Sequence, residues 1–285
     1  MIYFAEMKRL FIVIIFFISY CFSAQTQRFL FEFSYKLDST AEHKEKENYI
    51  LDVTSKEVKF YPQEFISIDS LNKISRELTK IALPNGFNTI VKRKLNSSIN
   101  DNYGFSNGRY YKFETTDTIE WQLKNEMKKV EDYQAQLAEA NYGGRKWSVW
   151  FVKEIPFNEG PYKLNGLPGF IVEAYDEKES FHFKLTKINN IKMEPDTSGF
   201  LETNFGDKPI KVSLEQFNNL LLNDYYNVYG NLKAMPEGEW SITLEDGKKI
   251  NTLAELNMLI RETKNQIRKN YNPINKEQGI KYPLE

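Results

Sequence analysis

Cysteine and histidine are almost missing: the 285 residues hold one Cys and two His. A disulfide needs two thiols, so the chain cannot close one on itself. A zinc site takes three or four His, Cys or carboxylate ligands, and His43 and His182 stand 139 positions apart. Charge of one sign is missing too. The 38 Lys and Arg face 39 Asp and Glu, a net charge of −1, which offers no broad basic surface to nucleic acid. No apolar run reaches the ~20 residues of a membrane helix. No nucleophile-elbow motif is present, and no cofactor is expected.

What the chain does have starts with an address. Lys8 and Arg9 precede the apolar run Leu10–Ile18, and small residues follow at Ser23 and Ala24. A basic patch, a short apolar stretch and a small-residue cleavage site form the secretory signal pattern. Cleavage after Ala24 leaves 36 basic and 38 acidic residues and removes Cys21, so the mature chain has no thiol. Two alternatives are an acylated Cys21, for which the bulky Tyr20 is a poor neighbour, and an uncleaved anchor. The expected organisation is a signal over 1–24 and one domain over 25–285, periplasmic or secreted and without a transmembrane span.

An apolar content of 41% with 15% aromatics supplies a core. Arg28–Leu37 alternates Phe29, Phe31, Phe33 and Tyr35 against Leu30, Glu32 and Ser34, the period-2 pattern of a strand. Further extended segments are expected at 49–53, 57–61, 87–95, 109–114, 118–123, 145–152, 170–175 and 180–187. In Arg145–Val152 both faces are apolar, which marks a central strand covered on both sides. Ser70–Ile81 has helical spacing of Leu71, Ile74, Leu78 and Ile81, with Asp69 or Ser70 as cap. Asn96–Gly108 is rich in turn formers and reads as a loop. Over 124–140 propensity favours helix, yet Tyr133, Ala135 and Leu137 alternate, and both readings stay open. Ser213 with Gln216 and Thr252 with Glu255 are capping-box spacings before apolar stripes. The expected class is α+β, mainly antiparallel: a curved sheet or open half-barrel with a few packed helices, concentrated toward the C-terminus.

Residues 144–176 carry the most specific pattern. Gly144-Arg145-Lys146-Trp147-Ser148-Val149-Trp150-Phe151, Ile155-Pro156, Gly160-Pro161-Tyr162-Lys163 and Gly166-Leu167-Pro168-Gly169-Phe170-Ile171 follow in order, and Asn272-Pro273-Ile274 stands near the end. This series resembles the GLPGLI family of secreted bacterial proteins, with Phe170 where that family usually has Leu. Its Tyr-x-Cys-x-x-Ala segment falls on Tyr133–Ala138, with Ala135 replacing the cysteine, which argues for an extended 124–140. The resemblance implies location and architecture, an outer-membrane transport protein as a plausible neighbour, and no reaction.

The candidate binding residues are Arg145, Trp147, Trp150, Phe151, Tyr162, Gly166, Leu167, Pro168, Gly169 and Phe170. Each also has a plain structural reading. Trp147, Trp150 and Phe151 suit core packing, and because the two tryptophans face opposite ways at most one lines a groove. Gly166 and Gly169 suit turns and close backbone approach, with Pro168 fixing φ. Arg145 suits pairing with a carboxylate such as Glu154 or Glu173. His182, opposite Phe181 and Phe183, is expected exposed or hydrogen-bonded, and Asp176, Glu177 and Glu179 in a tight turn read as solvated. These features favour a non-enzymatic envelope protein binding a hydrophobic molecule or an outer-membrane partner. The alternative is a hydrolase using carboxylates such as Asp176 or Glu173, or a metal.

Overall fold

The computed structural model describes residues 26–74, 89–204 and 206–284, so the expected signal and Cys21 lie outside the described residues. Six strands lead off: β1 (Thr26–Tyr35), β2 (Glu45–Val53), β3 (Glu57–Pro62), β4 (Ile90–Lys94), β5 (Ile99–Ser106) and β6 (Arg109–Thr116). Five more follow: β7 (Gln122–Val130), β8 (Tyr133–Tyr142), β9 (Arg145–Val152), β10 (Phe170–Asp176) and β11 (Phe181–Ile191). β12 (Ile210–Lys211) and a small ribbon, β13 (Ile242–Thr243) with β14 (Lys249–Ile250), come later. The helices are α1 (Glu64–Ile74), α2 (Leu214–Tyr226), α3 (Gly230–Lys233) and α4 (Leu253–Lys269).

Twelve strands form one sheet in the order β12-β6-β5-β4-β3-β2-β1-β11-β10-β9-β8-β7. Every pairing is antiparallel except β12 with β6. Two meanders thus meet where β1 pairs with β11. Chain connectivity forces this sheet to curl. β6 and β7 are ten strand positions apart, which on a flat sheet is about 48 Å. Only residues 117–121 join them, and a link of that length spans at most about 20 Å. The sheet therefore bends into an open half-barrel with the two meanders facing each other.

The inner face is aromatic. Phe29, Phe31 and Phe33 of β1 and Trp147, Val149 and Phe151 of β9 are fully buried in one core with Phe60, Phe170 and Phe183. Phe33 stacks on its cross-strand partner Phe183 with ring centres 4.2 Å apart. The segment 153–169, between β9 and β10, fills the barrel and contributes Ile155, Leu164 and Leu167. On the outer face α1 and the stretch near Phe200 cover a second cluster of Ile50, Tyr61, Phe65 and Tyr103. Trp240, Ile250 and Leu256 form a third under α4.

Two expectations change, and one open reading is decided in favour of extended chain. Asn96–Gly108 is not a loop throughout but holds β5, because the Asn102 amide reaches Thr115 of β6 and the Asn100 amide reaches Asp117 just beyond it, so these side chains tie β5 to its neighbour as well as to local carbonyls. The first helix runs from Glu64 to Ile74, with Asp69 inside it rather than at its cap. It buries Phe65, Asp69 and Asn72 and leaves Leu71 and Ile74 exposed; residues 75–81 of the expected helix lie outside the described ones. Lys124–Ala140 is a β-hairpin, β7–β8, turning at Glu131 and Asp132 with Val130 opposite Tyr133. The capping box at Ser213 and Gln216 is present at α2, and Thr252 caps α4.

Candidate functional site

Arg145, the first residue of β9, sits behind the Gly143-Gly144 turn and is buried. Its Nη1 donates to Asp176 Oδ2 at 2.9 Å and its Nε to the Ile274 carbonyl at 2.9 Å. Nη2 donates to Asn272 Oδ1 and to the Pro273 carbonyl at 2.6 and 2.7 Å. The partner is therefore Asp176, not Glu154 or Glu173, and the guanidinium clamps the Asn272-Pro273-Ile274 strap onto the barrel. Burial lowers the Arg145 pKa, and Asp176 opposes the shift. Asp176 is buried rather than solvated, while Glu177 and Glu179 are exposed as expected.

The other candidates sort by exposure. Trp147, Phe151, Leu167 and Phe170 are in the core, and Tyr162 is buried beside them. Trp150, on the opposite face, lies half-buried under Lys128, whose Nζ is 4.4 Å from the ring centre. Gly166 and Pro168 are exposed. Gly169 has φ +154, and a Cβ there would fall 2.4 Å from the Val152 carbonyl oxygen. Only glycine lets β10 start this close to the end of β9.

Between these residues a second constellation appears. Leu164 N–H donates to the Pro161 carbonyl, closing a turn in which Tyr162 has φ 57. That conformation costs a bulky residue about 1–2 kcal/mol. It aims Lys163 across the open side of the barrel, where Nζ donates to Thr115 Oγ1 at 2.8 Å and meets Asp117 Oδ2 at 3.2 Å and Gln278 Oε1 at 3.2 Å. Tyr142 Oη and Gln278 Nε2 donate to Asp117 Oδ1 at 2.8 and 2.9 Å. Asn100 Nδ2 and Thr115 Oγ1 donate to Oδ2 at 3.0 and 2.6 Å. Burial would raise the Asp117 carboxyl, but Lys163 and these hydrogen bonds outweigh it and hold the carboxyl below its ordinary value. Burial pushes the Lys163 ammonium down against the pull of Asp117, and pushes the Tyr142 and Tyr162 phenols up. Beside it a buried Arg93–Glu159 pair joins β4 to the same segment, with Arg93 Nη1 donating to the Tyr162 carbonyl at 3.0 Å.

Above this network lies a groove of about 390 Å³. Its floor is β4–β6, and its walls are α2 and the strap 271–279. Phe217 of α2 stacks on Phe113, ring centres 4.7 Å apart. It reaches the sheet because β5 has glycine below it: a Cβ on Gly104 would come 2.5 Å from the Phe217 ring. Leu214, Leu221, Tyr271 and Ile274 complete the apolar walls, and Asn102, Lys163, Asn218 and Gln278 supply the polar end. Of the candidate residues only Tyr162 borders this groove. Sequence reading missed Asp117, Gly104 and Phe217 as site residues. Lys163 was visible only as part of Gly160–Lys163, and Phe217 only as one apolar position in a helical stripe.

The titratable candidates are committed elsewhere. Glu173 Oε1 is 2.8 Å from His182 Nε2, and Lys128 pairs with the other oxygen. The His182 hydrogen bond first, then Lys128, overcomes burial and pulls the Glu173 carboxyl down to about 2. Among the described residues no group of three or more His, Cys, Asp or Glu is placed to hold a metal ion. None of the described helices is long and apolar enough to cross a membrane.

A family model described as a protein of unknown function (Porph_ging) matches residues 144–173, the stretch from the Gly-Gly turn into β10. No curated protein sequence matches the chain. Among solved structures the fold is similar to PNGF-II in two crystal forms, C2 and P21, each with a TM-score of 0.50 and 14% identity. The similarity covers 70% and 69% of this chain and 33% of the PNGF-II chain, so this chain matches about a third of that protein's length. At that identity the likeness is one of fold.

Proposed function

We propose that this chain is an exported envelope protein, of the GLPGLI type that its sequence resembles, and that it holds a hydrophobic ligand in the groove between α2 and the C-terminal strap without transforming it. The groove carries the reading. Its volume of about 390 Å³ falls in the usual range for small-molecule sites, and it combines apolar walls with a few convergent polar groups. Export rests on the basic and apolar pattern of residues 8–24. The charged groups at the groove's end favour binding over chemistry: Lys163 and Asp117 neutralise each other, and both oxygens of the Asp117 carboxylate already accept hydrogen bonds from protein donors.

No tryptophan lines the groove, so an added reporter is needed. N-phenyl-1-naphthylamine, an uncharged dye that brightens in apolar surroundings, should bind saturably to the protein lacking residues 1–24. Leu221 is half-buried on the groove side of α2. Leu221→Asp should abolish binding while the thermal midpoint stays near that of the parent. Saturable binding that survives this variant unchanged would contradict the proposal.

A further inference from the structure

Resting on that reading, we infer that the groove selects an uncharged amphiphile, an apolar body whose head both donates and accepts hydrogen bonds, such as a primary amide or a hydroxyl. The observation is which polar atoms remain uncommitted. Asn102 Nδ2 donates to Thr115 Oγ1, the Asn100 carbonyl and the Phe113 carbonyl, leaving its Oδ1 without a donor among the described residues. Asn218 Nδ2 donates to the Gln278 carbonyl at 3.1 Å, and its Oδ1 likewise has no described donor. Tyr271 Oη accepts from Ile280 N–H at 2.7 Å and keeps its own hydrogen to give. Two acceptors and two donors, the Tyr271 hydroxyl and the second Asn218 Nδ2 hydrogen, therefore stand on residues that line the groove.

The fixed charges nearby cancel. Lys163 is paired with Asp117, and Arg93 with Glu159. A carboxylate head could accept from the free hydrogens but would leave the two carbonyl oxygens without donors and find no uncompensated cation to repay its desolvation. An ammonium head could donate to both oxygens, but it would leave water with no carboxylate free to balance it. A primary amide can both donate to such oxygens and accept from such hydrogens, and it carries no charge into the groove. The walls set the body: Phe217, Leu221 and Ile274 offer only apolar contact.

Octanamide, octanoate and octylammonium share one chain and differ at the head. Each is titrated against bound N-phenyl-1-naphthylamine at pH 7.5. Octanamide should displace the dye at a concentration about tenfold or more below either ion, a difference in keeping with the cost of burying an unpaired charge. Asn218→Asp, which places a carboxylate at the head position, should reverse the order in favour of octylammonium. Octanoate or octylammonium competing as well as octanamide overturns the head-group inference and leaves the groove reading intact, since the dye is still displaced. An unchanged order in Asn218→Asp overturns it as well. Failure of the dye to bind at all removes the groove reading and this inference together.

Discussion

At the residue scale, the most specific sequence positions are those that close the barrel. Arg145 makes four hydrogen bonds, three of them to residues 272–274 and one to Asp176. Replacing it with methionine leaves Asp176 buried without a cation and frees the strap. The expected loss is about 3–5 kcal/mol, the usual cost of breaking a buried pair by removing one partner, read from the urea midpoint. Glu179→Gln removes the exposed pair with Lys44 and should cost less than about 1 kcal/mol. Glu173 gives the pH dependence. Its carboxyl lies near 2, below the ordinary 4.5. A depressed carboxyl adds stability that is complete above the ordinary value and is lost as pH falls from there through 2. Urea midpoints between pH 5 and pH 2 should therefore fall less steeply in Glu173→Gln than in the parent, and equal slopes would contradict the assignment.

At the element scale, strands whose two faces differ in chemistry were legible. β1 alternates Phe with polar residues, and β9 buries Trp147, Val149 and Phe151 on one face, whereas the expected cover of its other face is incomplete: Lys146 is exposed and Ser148 and Trp150 are only half-buried. β5 was hidden, since its Asn, Asp and Gly content signals turns until Thr115 of β6 and Asp117 beyond it take up the amides. The β7–β8 hairpin was ambiguous for a related reason. β7 is an edge strand with a mostly exposed face, so it carries Lys, Glu and Gln, residues that also favour helices. Glu131 decides between the two by sign. In the hairpin it sits at φ 52, so Glu131→Gly should stabilise the protein by up to about 1 kcal/mol. In a helix interior the same change would destabilise it by about that amount. Gly169→Ala tests the start of β10: a left-sided φ and a contact with the Val152 carbonyl should together cost about 2–4 kcal/mol, seen as a lowered thermal midpoint.

For the whole molecule, the open half-barrel follows from one short connection, because residues 117–121 must join opposite ends of the strand order. The segment with the recognisable motif fills the resulting interior, so most of its apolar side chains pack rather than bind. The groove lies beside that segment, shares only Tyr162 and Lys163 with it, and escaped sequence reading because five distant stretches build it: 89–90, 102–113, 162–163, 214–221 and 271–279. Pattern along a chain reveals faces of single elements; it does not reveal which elements the barrel brings together. The motif packs and the groove binds, and dye affinity measured on two variants tests that division most directly. Leu221→Asp should abolish saturable N-phenyl-1-naphthylamine binding, whereas Pro168→Ser, at an exposed position in the motif segment, should leave the Kd unchanged. Loss of binding in Pro168→Ser with retention in Leu221→Asp would place the ligand at the motif and contradict the account.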